Sequence, residues 1–142
     1  MDTLSPTQRS ATMKAVRSKN TGPELLVAEA LRSARFRFVQ HDSTLPGTPE
    51  FVLVRHRVAI FVNGCFWHYH TCKRGRSIPA TRRQFWESKK RKNQARDRKT
   101  RAQLRRRGYR VLVLWECKLT DLSRIKTMVR SFVQAPHGNG LP

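Results

Sequence analysis

The runs Val58-Ala59-Ile60-Phe61-Val62 and Val111-Leu112-Val113-Leu114 are apolar throughout. Each has the length of a strand, is rich in β-branched residues, and is too short for a buried helix. A strand without polar alternation has no face for water, so both runs belong in the middle of a sheet covered on both sides. Residues 36–40 alternate apolar and polar, and residues 50–54 and 57–62 flank Arg55-His56 as a hairpin. The fourth strand is expected over residues 109–115.

The covering layers are expected to be helices, whose starts are written in local chemistry. Ser5-Pro6-Thr7-Gln8 places an N-cap, a proline at the first helical position and a glutamine at the third, opening a helix over 5–18. Thr21-Gly22-Pro23-Glu24 repeats the capping box for a helix to about Ala34. Thr81-Arg82-Arg83-Gln84 offers a third, for a long helix that Gly108 closes. A last helix is expected from Asp121, with Leu122, Ile125, Val129 and Val133 on one face. Helix, three strands, helix, strand, helix is an α/β layered fold with a mixed sheet. At 142 residues one domain is the default, here residues 1–134. The tail 135–142, with Pro136, Gly138, Gly140 and Pro142, is expected to be disordered.

Thirty Lys and Arg against nine Asp and Glu give a formal net charge of +21. A small chain this cationic makes physical sense opposite a polyanion. Residues 73–107 hold 16 of the basic residues and two acids, Glu87 and Asp97, so this is no balanced solvated helix face. Nucleic acid is the favoured partner. A membrane surface is disfavoured because the long helix lacks a broad apolar face, and no apolar run is long enough to span a bilayer. Residues 1–6 lack the basic-then-apolar pattern of a secretory signal, so a cytoplasmic, nucleoid-associated location of the bacterial type is expected.

Cys65, Cys72 and Cys117 are an odd number and fit a disulfide framework poorly. Cys65, His70 and Cys72 lie within eight residues, directly after the first apolar run and its Asn63-Gly64 turn signal. Cys117 lies just past the second run, and adjacent strands would bring the two ends together. Such a set suits tetrahedral Zn²⁺, with His68 an alternative to His70 on spacing alone. Phe66 and Trp67 are consecutive and cannot easily be buried on one side. With Trp86 they are candidates for stacking on or wedging between bases. Phe85 is assigned to the core.

Leu45-Pro46-Gly47-Thr48-Pro49-Glu50-Phe51-Val52, then Ile60-Phe61-Val62-Asn63-Gly64-Cys65-Phe66-Trp67-His68, then Trp115-Glu116-Cys117, resembles the very short patch repair (Vsr) DNA mismatch endonucleases. Met13-Lys14-Ala15-Val16-Arg17-Ser18-Lys19-Asn20-Thr21 is similar too, and the resemblance runs from about residue 8 to 134. It implies a restriction-endonuclease-like three-layer fold with a structural zinc site, in a protein acting as a monomer with other mismatch-repair proteins as further partners. It implies Mg²⁺-dependent nicking of one strand of double-stranded DNA, 5′ to the thymine of a T·G mismatch, in repair of deaminated 5-methylcytosine.

Carried over by position, the resemblance makes Cys65, His70, Cys72 and Cys117 the zinc ligands. Glu50 and the backbone carbonyl of Val62 become the magnesium site, His68 the catalytic histidine, Asp97 its partner, and Glu24 a helix acid near the active site. Phe66, Trp67 and Trp86 become the mismatch wedge. Met13, Lys14 and Arg17 of the N-terminal arm, with Lys89, Lys92 and Arg96, complete the DNA contacts. Phosphodiester hydrolysis needs a hard cation on carboxylate oxygen and a group titrating near neutrality, and these residue types meet both needs. Two positions depart from the family: Glu50 stands for an aspartate and Asn63 for a histidine. The added methylene shifts the carboxylate by ~1.5 Å, and a misplacement of ~1 Å can cost ~10²-fold in rate. Reduced activity or a change of metal is therefore implied, with a zinc-containing mismatch binder that cleaves poorly as the alternative.

Overall fold

The structure, a computed structural model, describes residues 22–135. Its sheet has four strands in the order β1-β2-β3-β4: Val39–Gln40, Phe51–Leu53, Val58–Asn63 and Arg110–Trp115. β1 with β2 and β2 with β3 are antiparallel, while β3 and β4 are parallel, so the sheet is mixed. The two apolar runs are the parallel pair, in register from Val58 opposite Arg110 to Asn63 opposite Trp115. A parallel pair needs a long crossover, and residues 64–109 provide it.

The helices are α1 (Gly22–Ser33), α2 (Lys73–Arg76), α3 (Arg83–Arg106) and α4 (Leu122–Gln134). Successive strand residues point to opposite faces. Val58 and Ile60, with Phe51, Leu53 and Leu114, meet Val27, Leu31, Ile125 and Val129 of α1 and α4. Ala59 and Val111 pack with Leu104 of α3, with Phe61 and Val113 beside them. The result is three layers. Leu31, Phe51 and Ile60 are wholly withdrawn from solvent, which stabilises the fold by about 1.5–3 kcal/mol for each side chain.

The expected hairpin is present, turned by a 3₁₀ segment Val54–His56 with Arg57 left-handed at φ 52°. The strand expected over 36–40 is shorter, because Phe36 and Phe38 pack into the α1/α4 layer ahead of the ladder and only Val39 and Gln40 pair. Strand β2 likewise begins at Phe51 rather than Glu50. The third capping box does not form. Arg82, left-handed at φ 57°, precedes the first turn without a side-chain cap, its guanidinium 4.3 Å above the Phe85 ring. Phe85 is itself 43% exposed and not core, because α3 meets the sheet only near its C-terminal end at Leu104.

The far end of α3 follows expectation. Gly108 takes φ +87°, its N–H reaches the Arg105 carbonyl and that of Tyr109 the Leu104 carbonyl, the two bonds of a Schellman stop. Asp121 caps α4, accepting the Arg124 N–H at 2.7 Å. The arm over 5–18, with Met13, Lys14 and Arg17, and the tail beyond Ala135 lie outside the described residues. Among the described residues no helix is long and apolar enough to cross a membrane.

Candidate active site

A cleft of about 360 Å³ opens where β3 ends, between the sheet and α3. Its lining includes Glu50, Asn63, His68, Arg96, Asp97 and Arg101. Antiparallel pairing places Glu50, just ahead of β2, beside the end of β3, where its Oε2 accepts the Val62 N–H at 3.0 Å. The carbonyl of a strand residue points to the same side as its N–H, so Val62 directs both groups toward Glu50. Burial pushes the Glu50 carboxyl up from 4.5 to about 7, against the Val62 hydrogen bond, which lowers it. Nearby Glu24 raises it further and His68 lowers it. A carboxylate this poorly solvated favours a cation beside it, and one carboxylate with a carbonyl is a fitting partial shell for Mg²⁺, which keeps several waters and takes phosphate oxygens.

His68 sits in the tight turn after β3, where its N–H bonds to the Gly64 carbonyl at 3.2 Å. Its Nδ1 lies 2.6 Å from Oδ2 of Asp97 on α3. An ionised carboxylate only accepts, so the proton of this bond is on Nδ1 and Nε2 is left to act as a base. The helix ion pair that spacing allows between Asp97 and Arg101 is superseded by this contact, although both residues line the cleft.

Glu24 is 4% exposed on α1, and its Oε2 meets His41 Nε2 at 2.8 Å. His41, left-handed at φ 50°, also bonds through its backbone N–H to the Glu50 carbonyl at 3.0 Å. It thereby ties the helix acid to the cleft acid. Nothing in the sequence marked it, since its partners lie 17 residues before it and nine after.

The Cys/His set converges as the parallel strands require. The donor atoms of Cys65, His70, Cys72 and Cys117 all lie within 4.8 Å of one another, and His70 Nδ1 is 3.6 Å from Cys117 Sγ. With Zn–S near 2.3 Å, the corners of a tetrahedral shell stand ~3.8 Å apart, so the set fits such an ion with small adjustment. His70, not His68, supplies the nitrogen atom of this set. Its ring stacks on Trp115 at 4.2 Å between centroids. Cys72 caps the unforeseen helix α2: its Sγ accepts the Gly75 N–H at 3.4 Å, which with His70 lowers the thiol to about 6. Burial first, then the neighbouring thiols, pushes Cys65 up to about 12. A methyl at Gly75 would overlap the His70 carbonyl, so only glycine fits this turn.

On the outer rim, Phe66, Trp67 and Trp86 form one aromatic group, with centroids 5.1–5.8 Å apart. Trp67 is 41% exposed, and Phe85 extends the row at 5.3 Å from Trp86. Lys89 stands 5.9 Å from the Trp67 ring and 5.8 Å from that of Phe85. Lys92 and Arg96 are exposed further along α3, where Asn93 holds the Trp67 carbonyl at 3.1 Å and the Arg96 guanidinium. The rings and cations therefore share one face with the mouth of the cleft.

The family model for the DNA mismatch endonuclease Vsr matches residues 1–74. The chain is 43% identical to the type II nicking enzyme V.XorIIP of Xanthomonas oryzae pv. oryzae over 132 residues, covering 93% of this chain and 96% of that one. It is 41% identical to the DNA mismatch endonuclease Vsr of Escherichia coli over 117 residues, 82% of this chain and 74% of that one. Among solved structures, the catalytic domain of the homing endonuclease I-Bth0305I superposes with a TM-score of 0.54 and 25% identity, over 80% of this chain and 94% of that one. The fold is thus restriction-endonuclease-like, and the chain belongs to the Vsr DNA mismatch endonuclease family.

Proposed function

We propose that this protein nicks one strand of double-stranded DNA 5′ to the thymine of a T·G mismatch, by hydrolysis that requires Mg²⁺, and so acts in repair of deaminated 5-methylcytosine. The observation that carries this reading is the convergence of Glu50 with the His68–Asp97 pair in one cleft beside an exposed aromatic row. Relatives named as mismatch endonucleases and nicking enzymes support it.

Asp97 holds His68 with its proton on Nδ1 and stabilises the imidazolium formed later. His68 takes the proton of the attacking water at Nε2. Glu50, with the Val62 carbonyl, would hold the cation, which when bound supplies positive charge against the phosphate oxygens. Glu24, fixed by His41, adds negative charge near Glu50 and sharpens its preference for a cation. Phe66, Trp67 and Trp86 wedge beside the mismatched pair, while Lys89, Lys92 and Arg96, with the arm residues Met13, Lys14 and Arg17, meet the backbone. Cys65, His70, Cys72 and Cys117 would hold a Zn²⁺ whose part is structural, tying the loop after β3 to the end of β4.

A second reading, a mismatch binder that cleaves poorly, is favoured by the two departures from the family pattern, Glu50 and Asn63, both of which line the cleft. One experiment separates the two. A labelled duplex with one T·G pair is incubated with protein and Mg²⁺ beside its T·A counterpart. A nick next to the mismatched thymine alone is expected, and His68→Ala should lower its rate by ~10²–10⁴ with binding retained. Mismatch-dependent binding without a nick would transfer the case to the second reading, and equal treatment of both duplexes would overturn both.

A further inference from the structure

Within the basic run Lys89-Lys90-Arg91-Lys92, one residue behaves unlike its neighbours. Lys89, Arg91 and Lys92 are exposed, whereas Lys90 has no exposed surface. Its Nζ donates to the carbonyls of Gly75 at 3.0 Å and Ser77 at 2.6 Å. It also lies 3.7 Å from the centre of the Phe66 ring and 5.4 Å from that of Tyr69. An ammonium has three protons; here two carbonyls and one aromatic face meet them all. Burial of such a charge is costly unless it is compensated, and three thiolates around Zn²⁺ leave the metal site net negative. Burial lowers the pKa of Lys90, and negative charge at Cys72 opposes that.

We propose that Lys90 is a positioning residue that locks the metal-binding turn and the Phe66 ring together on α3, and that it sets mismatch discrimination without touching DNA. Gly75 is the hinge of this arrangement. Its carbonyl accepts from Lys90, its N–H donates to Cys72 Sγ, and a Cβ added to it would meet the His70 backbone. The far end of the same ammonium fixes the face of Phe66, and with it the seat of Trp67 and Trp86. The consequence for DNA rests on the wedge assignment proposed above; the lock itself does not.

Two measurements test it. In the zinc-loaded protein, amine acylation read by mass spectrometry should modify Lys89 and Lys92 readily and Lys90 hardly at all, with protection lost on chelation of zinc. Labelling of Lys90 as fast as Lys89 would overturn the lock. Lys90→Met keeps the stem and removes the charge, and it should reduce the preference for T·G over T·A duplex by roughly tenfold. The salt slope of binding to matched duplex should not change, whereas loss of a phosphate contact would lower it by about 1. A lowered slope with the preference intact would overturn the proposal, as would no change in either. Should Lys90→Met fail to fold, the labelling result on the native chain decides. Protection of Lys90 in a protein that shows no mismatch preference would support the lock and sink the wedge assignment.

Discussion

Glu50 and His68 divide the chemistry of the cleft by their surroundings. Glu50 loses water where it packs beside the end of β3, and the Val62 N–H only partly offsets that loss, so its carboxyl rises to about 7. His68 keeps partial exposure and gains a carboxylate. A stability consequence follows for Glu50 with a definite sign. Its folded pKa exceeds its unfolded one, so the native state binds the proton more tightly and stability is complete below pH 4.5. With zinc retained and no Mg²⁺ added, the melting temperature should therefore fall as pH rises from 4.5 to about 7, the interval between the two values. Glu50→Gln should remove that portion of the fall, and a scan of thermal unfolding against pH checks it. Mg²⁺ at pH 7.5 should restore stability to the native chain and not to the variant, since only the carboxylate offers the ion a charge.

The turns and short helices decide whether the site exists at all. β3 and β4 end side by side, which delivers Cys65 and Cys117 to one place, but the loop 66–75 must fold back to add His70 and Cys72. That return depends on Gly75, whose neighbour on the inner side is backbone rather than a yielding side chain. Gly75→Ala should therefore lower zinc affinity although it removes no ligand. Cys117→Ser should lower zinc content from one ion per chain and, by breaking the shell, destabilise the fold by several kcal/mol, well short of the ~10–16 kcal/mol of whole structural zinc sites. Metal analysis after dialysis, with thermal unfolding in parallel, tests both. Unchanged zinc in Cys117→Ser would dismiss the four-ligand set. At the opposite end of the sheet, Arg110 donates to the carbonyls of Phe132, Val133 and Ala135, placing a cation on the negative end of α4.

At the scale of the whole molecule the distribution of charge matters more than any pair. α3 is almost bare of acids, and its exposed ion pair Arg91–Glu87 contributes little. The fold turns this helix along the cleft, which sets its positive charge beside Glu50 and His68. Affinity for matched duplex should fall by ~10³–10⁵ between 50 and 200 mM salt, as for 6–10 phosphate contacts. Titration of fluorescent duplex across that range checks it; a flat profile would deny α3 its electrostatic role. The extra affinity for a mismatch should depend far less on salt, because ring stacking releases no counterions.

Much of this was legible along the chain. The apolar runs at 58–62 and 111–114 read as strands covered on both faces, although 111–114 forms the edge of the described sheet and not its middle; Gly108 and Asp121 marked helix ends, and the Cys and His spacing marked a metal-binding set without choosing between His68 and His70. Each is a local property, set by side-chain hydration, backbone conformation or ligand chemistry within a few residues. The contacts that turn these parts into a site are not local. His41 on Glu24, His68 on Asp97 and Lys90 on Gly75 and Phe66 join residues 15–29 positions apart. Burial is also collective: Lys90 and Phe85 look like an ordinary surface lysine and an ordinary core ring, and packing reversed both. Sequence by itself determined the layers, the cysteines available to a metal and the attraction to a polyanion. Only the tertiary structure decided which lysine lost its water, which ring kept it, and which carboxylate was left needing a cation, because desolvation depends on every neighbour at once.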